Sequence, residues 1–162
     1  MLCTAKDIPR LNALFGHESI WPFIKDDFTP DSFRYKLGSE LVIKPNTIIL
    51  SPTQGSAFVF VADSCVLFSV HANVIKRDRA VSKKSARDAL LWVFNNTDCM
   101  KVYAHVSSTF KNVCRFTESM GFVVEGVLTK SLLRDGALLD QTIYGLTKQD
   151  FMKDVKHKQE EE

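Results

Sequence analysis

A basic segment near the middle of the chain places four cations close together, at Arg77, Arg79, Lys83 and Lys84. A pattern typical of a β-strand precedes the segment, and a pattern typical of an amphipathic helix follows it. The start of a helix presents unpaired backbone N–H groups and the positive end of the helix dipole, and nearby cations add attraction for an anion. The segment therefore predicts a site for a phosphate-bearing ligand. The alternative is a solvated basic turn before a surface helix.

A histidine lies on the strand that leads into the basic segment. Apolar and polar side chains alternate between residues 66 and 74, so His71 and Asn73 share the polar face. Because an imidazole titrates near neutral pH, His71 is the candidate general base, and a sheet histidine without a catalytic role is the equal alternative. Ser108 and Thr109, at the end of the next predicted strand, are two further candidates for proton transfer.

Sequence periodicity predicts the elements that position these residues. Apolar spacing predicts helices over 5–16, 83–96 and 110–120, and a loop with a short helix over 17–37. Alternation and turn residues predict strands over 47–51, 57–62, 66–74, 101–106, 122–133 and 138–146. The Asp135-Gly136 pair is a strong hairpin signal. The order predicts an α/β (α+β) fold with one mixed sheet of about six or seven strands: an antiparallel meander, a β-α-β-α crossover and a C-terminal hairpin.

Length and composition indicate a single domain. The 162 residues, with 45% hydrophobic content, suffice for one core, which we expect over residues 1–151. Residues 152–162 are almost wholly charged and predict a frayed helix end or a disordered tail. A net charge of +2 does not fit a dedicated nucleic-acid binder, and the cations are confined to one short segment without interleaved aromatic residues.

The N-terminus and the cysteines indicate the compartment. The first residues lack the basic start and apolar run of a signal peptide, and no stretch has the apolar length of a membrane span, so we expect a cytoplasmic protein. The four cysteines are widely spaced and predict neither a metal site nor a disulfide framework. We expect all four, Cys3, Cys65, Cys99 and Cys114, to be buried or half-buried thiols.

The order of elements from Ser69 to Leu146 resembles the GNAT superfamily of acetyl-coenzyme A-dependent N-acyltransferases. Within it, the chain is most similar to the branch that acetylates protein N-termini and to short acetyltransferase-like proteins of tailed phages. The family's phosphate loop has Arg or Gln, two residues, Gly, one residue, then Gly or Ala, and Arg77, Ala80 and Ser82 occupy those positions. The run 115–126 resembles the family's helix ending in Gly-Phe and the following strand with Glu-Gly.

The resemblance implies acetyl-coenzyme A as co-substrate and an amine of a protein or small molecule as acceptor. It implies a backbone N–H near Asn73 or Val74 that polarises the thioester carbonyl, and loop N–H groups that hold the pyrophosphate. The cofactor-binding set that it implies is Asn73, Val74, Ile75, Arg77, Arg79, Ala80, Val81, Ser82, Lys83 and Asn112.

The chain departs from the family pattern at three places. Both loop glycines are replaced. Phe110 stands where the family has an Asn that contacts the pantetheine arm, and Ser108, Thr109 or Asn112 are the alternatives for that contact. Thr117 stands where the family commonly has a Tyr general acid.

Two functional hypotheses follow. The first is an N-acetyltransferase that works by direct attack of an amine on acetyl-coenzyme A. The second is a GNAT-fold phage protein without efficient catalysis that binds a host protein or belongs to the virion. The cations, Gly121-Phe122 and the hairpin favour the first, and the departures favour the second. The aromatic and acidic stretch 21–35 predicts either a wall of an amine-binding cleft, with Asp26 and Asp27 attracting a cation, or a cover over the sheet.

Overall fold

A six-stranded mixed sheet organises residues 1–160, the part of the chain that the computed structural model describes. Its strands are β1 (Thr47–Leu50), β2 (Ser56–Ala62), β3 (Leu67–Val74), β4 (Lys101–Ser107), β5 (Val123–Arg134) and β6 (Ala137–Thr147). The strand order is β1-β2-β3-β4-β6-β5, and among these six strands only β3 and β4 run parallel. The predicted meander, crossover and C-terminal hairpin are confirmed.

Six α-helices accompany the sheet within the described residues. They are α1 (Ile8–Phe15), α2 (Trp21–Ile24), α3 (Leu37–Ile43), α4 (Ser82–Asn96), α5 (Lys111–Ser119) and α6 (Lys148–Glu160). Short 3₁₀ helices span Ala5–Asp7, Asp31–Phe33 and Lys76–Val81. The sequence did not predict α3, and it predicted the last of the 3₁₀ helices as an open loop.

Apolar side chains cover both faces of the sheet. On one face a core of aromatic and aliphatic residues forms between the strands and α4, α5 and α6, and Phe58, Phe60 and Phe94 are buried in it. On the other face α1 and α3 pack over β1 and β2, where Val59 is buried. This second face becomes polar and solvent-exposed at His71, so the candidate site lies beside the α1–α3 layer.

The charged segment, predicted as a frayed helix end or a disordered tail, follows the helical alternative over the described residues. It continues α6, which is helical as far as Glu160, while residues 161 and 162 lie outside the described part of the chain. Met152 and Val155 pack against the main core, and Arg87 of α4 forms a 2.8 Å ion pair with Asp154. Two apolar residues and one ion pair therefore hold this segment against the core, a pattern too sparse to stand out among so many charges.

The four cysteines are all free, but they differ in exposure. Cys99 is buried, and Cys3 and Cys114 are partly buried. The prediction is wrong for Cys65, which is exposed in the turn between β2 and β3. Within residues 1–160, no helix is both long and apolar enough to cross a bilayer, and no three His, Cys, Asp or Glu residues group as a metal site would require.

Candidate active site

A gap opens in the middle of the sheet where the two parallel strands separate. Strands β3 and β4 pair only at Leu67–Lys101, Phe68–Val102 and Ser69–Tyr103. Beyond that point β3 stays paired with β2 as far as Val74, and β4 stays paired with β6 as far as Ser107. Residues 70–74 and 104–107 therefore face each other without pairing, at the carboxyl ends of the parallel strands, where open α/β sheets bind ligands.

The register of β3 determines which backbone groups face this gap. The Ile75 N–H donates to the Gly55 carbonyl at 2.9 Å, and the Asp63 N–H donates to the Leu67 carbonyl at 3.0 Å. Antiparallel partners exchange hydrogen bonds at alternate residues, so the odd-numbered residues of β3 bond to β2. The N–H groups of Ala72 and Val74 therefore point towards the gap.

This register shows which of the three predicted β3 residues, Asn73, Val74 and Ile75, directs its N–H towards the gap. Val74 offers its N–H to the gap, whereas the N–H groups of Asn73 and Ile75 are directed to the β2 side. Ala72 was absent from the predicted set. Backbone N–H groups alternate in direction along a strand, so Ala72 could have been predicted together with Val74 if the pairing of Ile75 with Gly55 had been known.

His71 lies on the exposed face of β3 beside the gap. Its side chain keeps contact with solvent, yet the surrounding protein lowers its pKa below the ordinary value, chiefly by desolvation and further by repulsion from His105 and Lys44. The lowered pKa favours the neutral imidazole, which is the form that accepts a proton.

The neighbouring strand places two aromatic rings on the same face. The rings of Tyr103 and His105 have centroids 5.3 Å apart, and the Tyr103 hydroxyl donates to Asp63 Oδ2 at 2.7 Å. Desolvation and this carboxylate both raise the pKa of Tyr103. Tyr103 is therefore a hydrogen-bonded wall of the site, while His105 is exposed beside His71.

The basic segment is more regular than a loop. Residues Lys76–Val81 form a 3₁₀ helix that leads directly into α4, and the Ser82 N–H donates to the Arg79 carbonyl. Backbone N–H groups that bond within this turn are not available to a phosphate. The side chains of Arg77, Arg79, Lys83 and Lys84 are all exposed, and two of them form ion pairs: Arg77 with Asp78 at 3.5 Å and Lys84 with Asp88 at 3.1 Å.

The small residues of the segment differ in their surroundings. Ala80 and Val81 are exposed on the 3₁₀ turn, and Ser82 is half-buried with its hydroxyl bonded to the Arg79 carbonyl at 2.7 Å. The segment thus presents cationic side chains around a wound backbone. The N–H groups of Asp78 and Ser82 are engaged with the Ile75 and Arg79 carbonyls, and the expectation that other N–H groups at the helix start attract the anion stays a prediction.

The predicted residues after β4 lie at the far side of the gap. Thr109 Oγ1 lies 2.9 Å from Ser107 Oγ, and the Ser108 N–H donates to the Asp140 carbonyl at 3.1 Å. Asn112 is exposed on the first turn of α5. Thr117 is buried and its hydroxyl donates to the Val113 carbonyl at 2.9 Å, so it presents no free hydroxyl.

A buried tyrosine under α5 was not among the predicted residues. Tyr144 of β6 donates to Glu118 at 3.0 Å, and desolvation together with hydrogen bonds to Cys114 and Glu118 raises its pKa far above the ordinary value. Such a group stays protonated at neutral pH. It is anchored inside the core and serves as a structural contact between β6 and α5.

The acidic stretch is tied to the β5–β6 hairpin. Both oxygens of Asp27 accept 2.8 Å hydrogen bonds, from the N–H groups of Asp135 and Gly136. Arg134 donates to the carbonyls of Phe23 and Lys25 and lies 4.9 Å from the centre of the Phe110 ring. A cleft of about 360 Å³ lies at this junction.

The acidic side chains in this cleft already have partners. Asp27 binds the hairpin, and Asp26 accepts from Thr29 at 2.7 Å, a bond that lowers its pKa. They are therefore less available to a cationic acceptor than the sequence suggested. A larger surface cavity, of about 540 Å³, lies between α1 and Tyr35. It shares no lining residue with the gap.

Comparison with known proteins identifies the fold. No protein-family profile and no curated protein matches the sequence. Among solved structures, a spermidine N-acetyltransferase from Vibrio cholerae, in complex with CoA and spermine, superposes with a TM-score of 0.75 at 13% identity, over 94% of this chain and 96% of that chain. A ribosomal-protein-S5-alanine acetyltransferase from Vibrio fischeri gives a TM-score of 0.73 at 13% identity, over 93% of each chain.

A third solved structure, an acetyltransferase of the GNAT family from Streptococcus pneumoniae, gives a TM-score of 0.68 at 14% identity, over 91% of this chain and 96% of that chain. The chain therefore has the GNAT fold, and the resemblance inferred from its motifs is confirmed at that level. The narrower likeness to the N-terminal-acetylating branch and to phage proteins stays a prediction.

Proposed function

We propose that this protein is an N-acetyltransferase that moves an acetyl group from acetyl-coenzyme A to a primary amine. One observation carries the proposal: the gap between β3 and β4 presents the N–H groups of Ala72 and Val74, and the same strand ends in a cluster of exposed cations. An elongated ligand with a phosphate group fits that arrangement. The exposed cations would bind its phosphate, and the N–H groups of Ala72 and Val74 would bind the polar arm in the gap. The GNAT fold of the chain supports the same conclusion.

The residues fit the co-substrate mainly through charge. Arg77, Arg79 and Lys83 would hold its phosphates with their side chains, since much of the backbone of this segment is wound into the 3₁₀ helix. Bound acetyl-coenzyme A would supply an activated acetyl thioester. The N–H groups of Ala72 and Val74 are the donors available to stabilise negative charge on a carbonyl oxygen in the gap.

His71 is the proposed general base. Its lowered pKa keeps the imidazole neutral at physiological pH, so it can accept a proton from the ammonium group of the acceptor, and the free amine then attacks the thioester. Ser108 and Thr109 remain the candidates for returning a proton to the leaving thiolate, because Thr117 bonds to its own helix. We propose the cytoplasm as the site of action and a protein or small-molecule amine as the acceptor.

A second candidate function is a binding module without efficient catalysis, for example a phage protein that engages a host protein. Phe110 favours it. Its ring packs 5.0 Å from the Phe23 ring and under Arg134, at the position where the family has a polar contact to the pantetheine arm. An aromatic side chain there offers the arm no hydrogen bond.

The deciding experiment is isothermal titration calorimetry of the purified protein with acetyl-coenzyme A and with coenzyme A. We expect micromolar binding and competition between the two. A thiol-release assay would then screen spermine, spermidine and an alanine-starting peptide as acceptors. Absence of coenzyme binding would contradict the enzyme and favour the binding module. Binding without thiol release from any amine would leave a coenzyme-binding protein without the proposed activity.

A further inference from the structure

An acidic residue lies in the middle of the cationic segment, which is unexpected at a site for an anion. Asp78 is the third residue of the 3₁₀ helix Lys76–Val81, between Arg77 and Arg79. Its carboxylate would repel a phosphate group at this position if it faced the ligand. The side chain is only 17% exposed, so it is turned into the protein.

Asp78 binds the turn between β1 and β2. Its Oδ2 accepts a hydrogen bond of 2.7 Å from the Thr53 hydroxyl and one of 3.1 Å from the Gly55 N–H. The two segments are packed tightly, because a Cβ atom added at Gly55 would lie 2.5 Å from this oxygen and 2.6 Å from the Ile75 side chain. The Ile75 N–H donates to the Gly55 carbonyl at 2.9 Å, so backbone and side chain hold the same junction.

The other carboxylate oxygen affects the cations. Asp78 Oδ1 lies 3.5 Å from Arg77 Nε, and the Arg77 side chain is 72% exposed. Because the Arg77 side chain is exposed, this pair contributes little to stability, but it partly neutralises a cation that could otherwise meet a phosphate. Asp78 therefore has two opposed effects: one oxygen anchors the segment, and the negative charge weakens its attraction for anions.

We propose that Asp78 is the positioning residue of the cationic segment, and that it acts as a hydrogen-bond acceptor rather than as a charge. By tying the 3₁₀ turn to Thr53 and Gly55 it holds Arg77 and Arg79 at the end of the gap. This inference rests on the proposed coenzyme A site. It implies that a neutral acceptor in place of the carboxylate would keep the geometry and bind the anion at least as well.

Three variants test the proposal. Asp78→Ala removes the acceptor, Asp78→Asn keeps an oxygen that can accept from both Thr53 and Gly55, and Thr53→Val removes one donor. With coenzyme A as the titrant, we expect Asp78→Ala to bind about tenfold more weakly than the wild type, since the partly buried hydrogen bonds that hold the segment are lost. Asp78→Asn should bind as tightly as the wild type or more tightly. Thr53→Val should weaken coenzyme A binding less in the Asp78→Ala background than in the wild-type background. The two substitutions remove the same hydrogen bond, so their effects should not add.

The matched control is Asp88→Ala, which removes a carboxylate from the exposed side of α4 without touching this junction. It should not weaken binding. Melting temperatures of all variants confirm that each is folded at the titration temperature. Unchanged affinity in Asp78→Ala, or an equal loss in Asp78→Asn, would overturn the proposal.

A measurement without ligand separates this inference from the proposed function. Amide hydrogen exchange over residues 76–82 should accelerate in Asp78→Ala and stay slow in Asp78→Asn. If the wild type does not bind coenzyme A, the proposed function fails, and the exchange pattern still decides whether Asp78 anchors the segment. Equal exchange in Asp78→Ala and the wild type would refute the anchoring role whatever the ligand.

Discussion

The two walls of the gap use their polar groups in different ways. The β3 wall, formed by β3, the segment 76–81 and the start of α4, keeps its groups available: His71 is accessible, the N–H groups of Ala72 and Val74 face the gap, and the cations are exposed. The β4 wall, formed by β4 and α5, engages more of its groups internally, although His105 and Asn112 are exposed. Its buried Thr117 hydroxyl bonds to the helix itself.

The difference in available polar groups indicates which wall binds the ligand. Hydrogen bonds that are satisfied inside a protein stabilise the fold but leave nothing for a ligand. The β3 wall should therefore account for coenzyme binding and for the general base, and the β4 wall, apart from Ser108 and Thr109 at the end of β4, should serve mainly as a rigid support. The GNAT fold provides both walls, whereas the sequence of this chain places most of the available polar groups on the β3 wall.

The largest expected effect comes from removing the charge of the β3 wall. The triple variant Arg77→Ala, Arg79→Ala and Lys83→Ala should weaken coenzyme A binding by about 10³-fold or more, since each charged hydrogen bond contributes more than a neutral one. All three side chains are exposed, so thermal unfolding should change little. Titration calorimetry and a melting curve measure the two quantities.

The matched control removes two exposed cations from the β4 wall. Lys111→Ala with Arg115→Ala should leave coenzyme A affinity unchanged, because these side chains lie on α5 and not at the end of β3. An equal loss of affinity in the control would show that general charge attracts the ligand. The position of the cations on the β3 wall would then not explain coenzyme A binding.

The second effect concerns the base on the β3 wall. His71→Gln should lower turnover by about 10²-fold with the best amine from the acceptor screen, while coenzyme A affinity stays the same. The acidic limb of the wild-type pH–rate profile should lie below that of an ordinary histidine, because the pKa of His71 is lowered. His17→Gln, at the end of α1, is the control. A variant that retains the wild-type profile would exclude His71 from the mechanism.

Local sequence predicted those parts of the molecule that local patterns encode. The crossover from β3 to α5 follows from periodicity, and Asp135 and Gly136 adopt the positive φ angles, 51° and 72°, that their hairpin turn requires. Helix α3 was missed because its formation depends on a distant partner. The Ser39 N–H donates to Asn12 Oδ1, and Asn12 Nδ2 donates to the Ser39 hydroxyl.

The candidate site shows the same limit. Motif spacing identified the cations and His71, which lie near each other along the chain. Ala72 required the register between β2 and β3, and the role of Asp78 required its contact with Thr53, which is 25 residues away. Long-range contacts decide which of several neighbouring groups points at a ligand, and one sequence does not specify them.

A smaller effect should follow from a change behind the β4 wall, at Tyr144 of β6, which bonds to α5 of that wall. Tyr144→Phe removes the hydroxyl that donates to Glu118, and the loss of this hydrogen bond should cost about 1 kcal/mol of unfolding free energy. Turnover and coenzyme affinity should be unchanged, because the group lies in the core. Urea denaturation measures the stability. A large loss of turnover with intact binding would give the β4 wall a chemical role.

The smallest effect is a pH dependence of stability that arises from His71. In the unfolded chain this imidazole titrates near its ordinary pKa of about 6.5, whereas the folded state holds the pKa lower. Between those two values the unfolded state binds more protons, so the free energy of unfolding should fall as the pH decreases through this window. Urea denaturation at a series of pH values from 7.5 to about 5 should show a shallower decrease in His71→Gln than in the wild type. Identical slopes would mean that His71 is not desolvated in the folded protein, and the β3 wall would then lose the feature that keeps its base neutral.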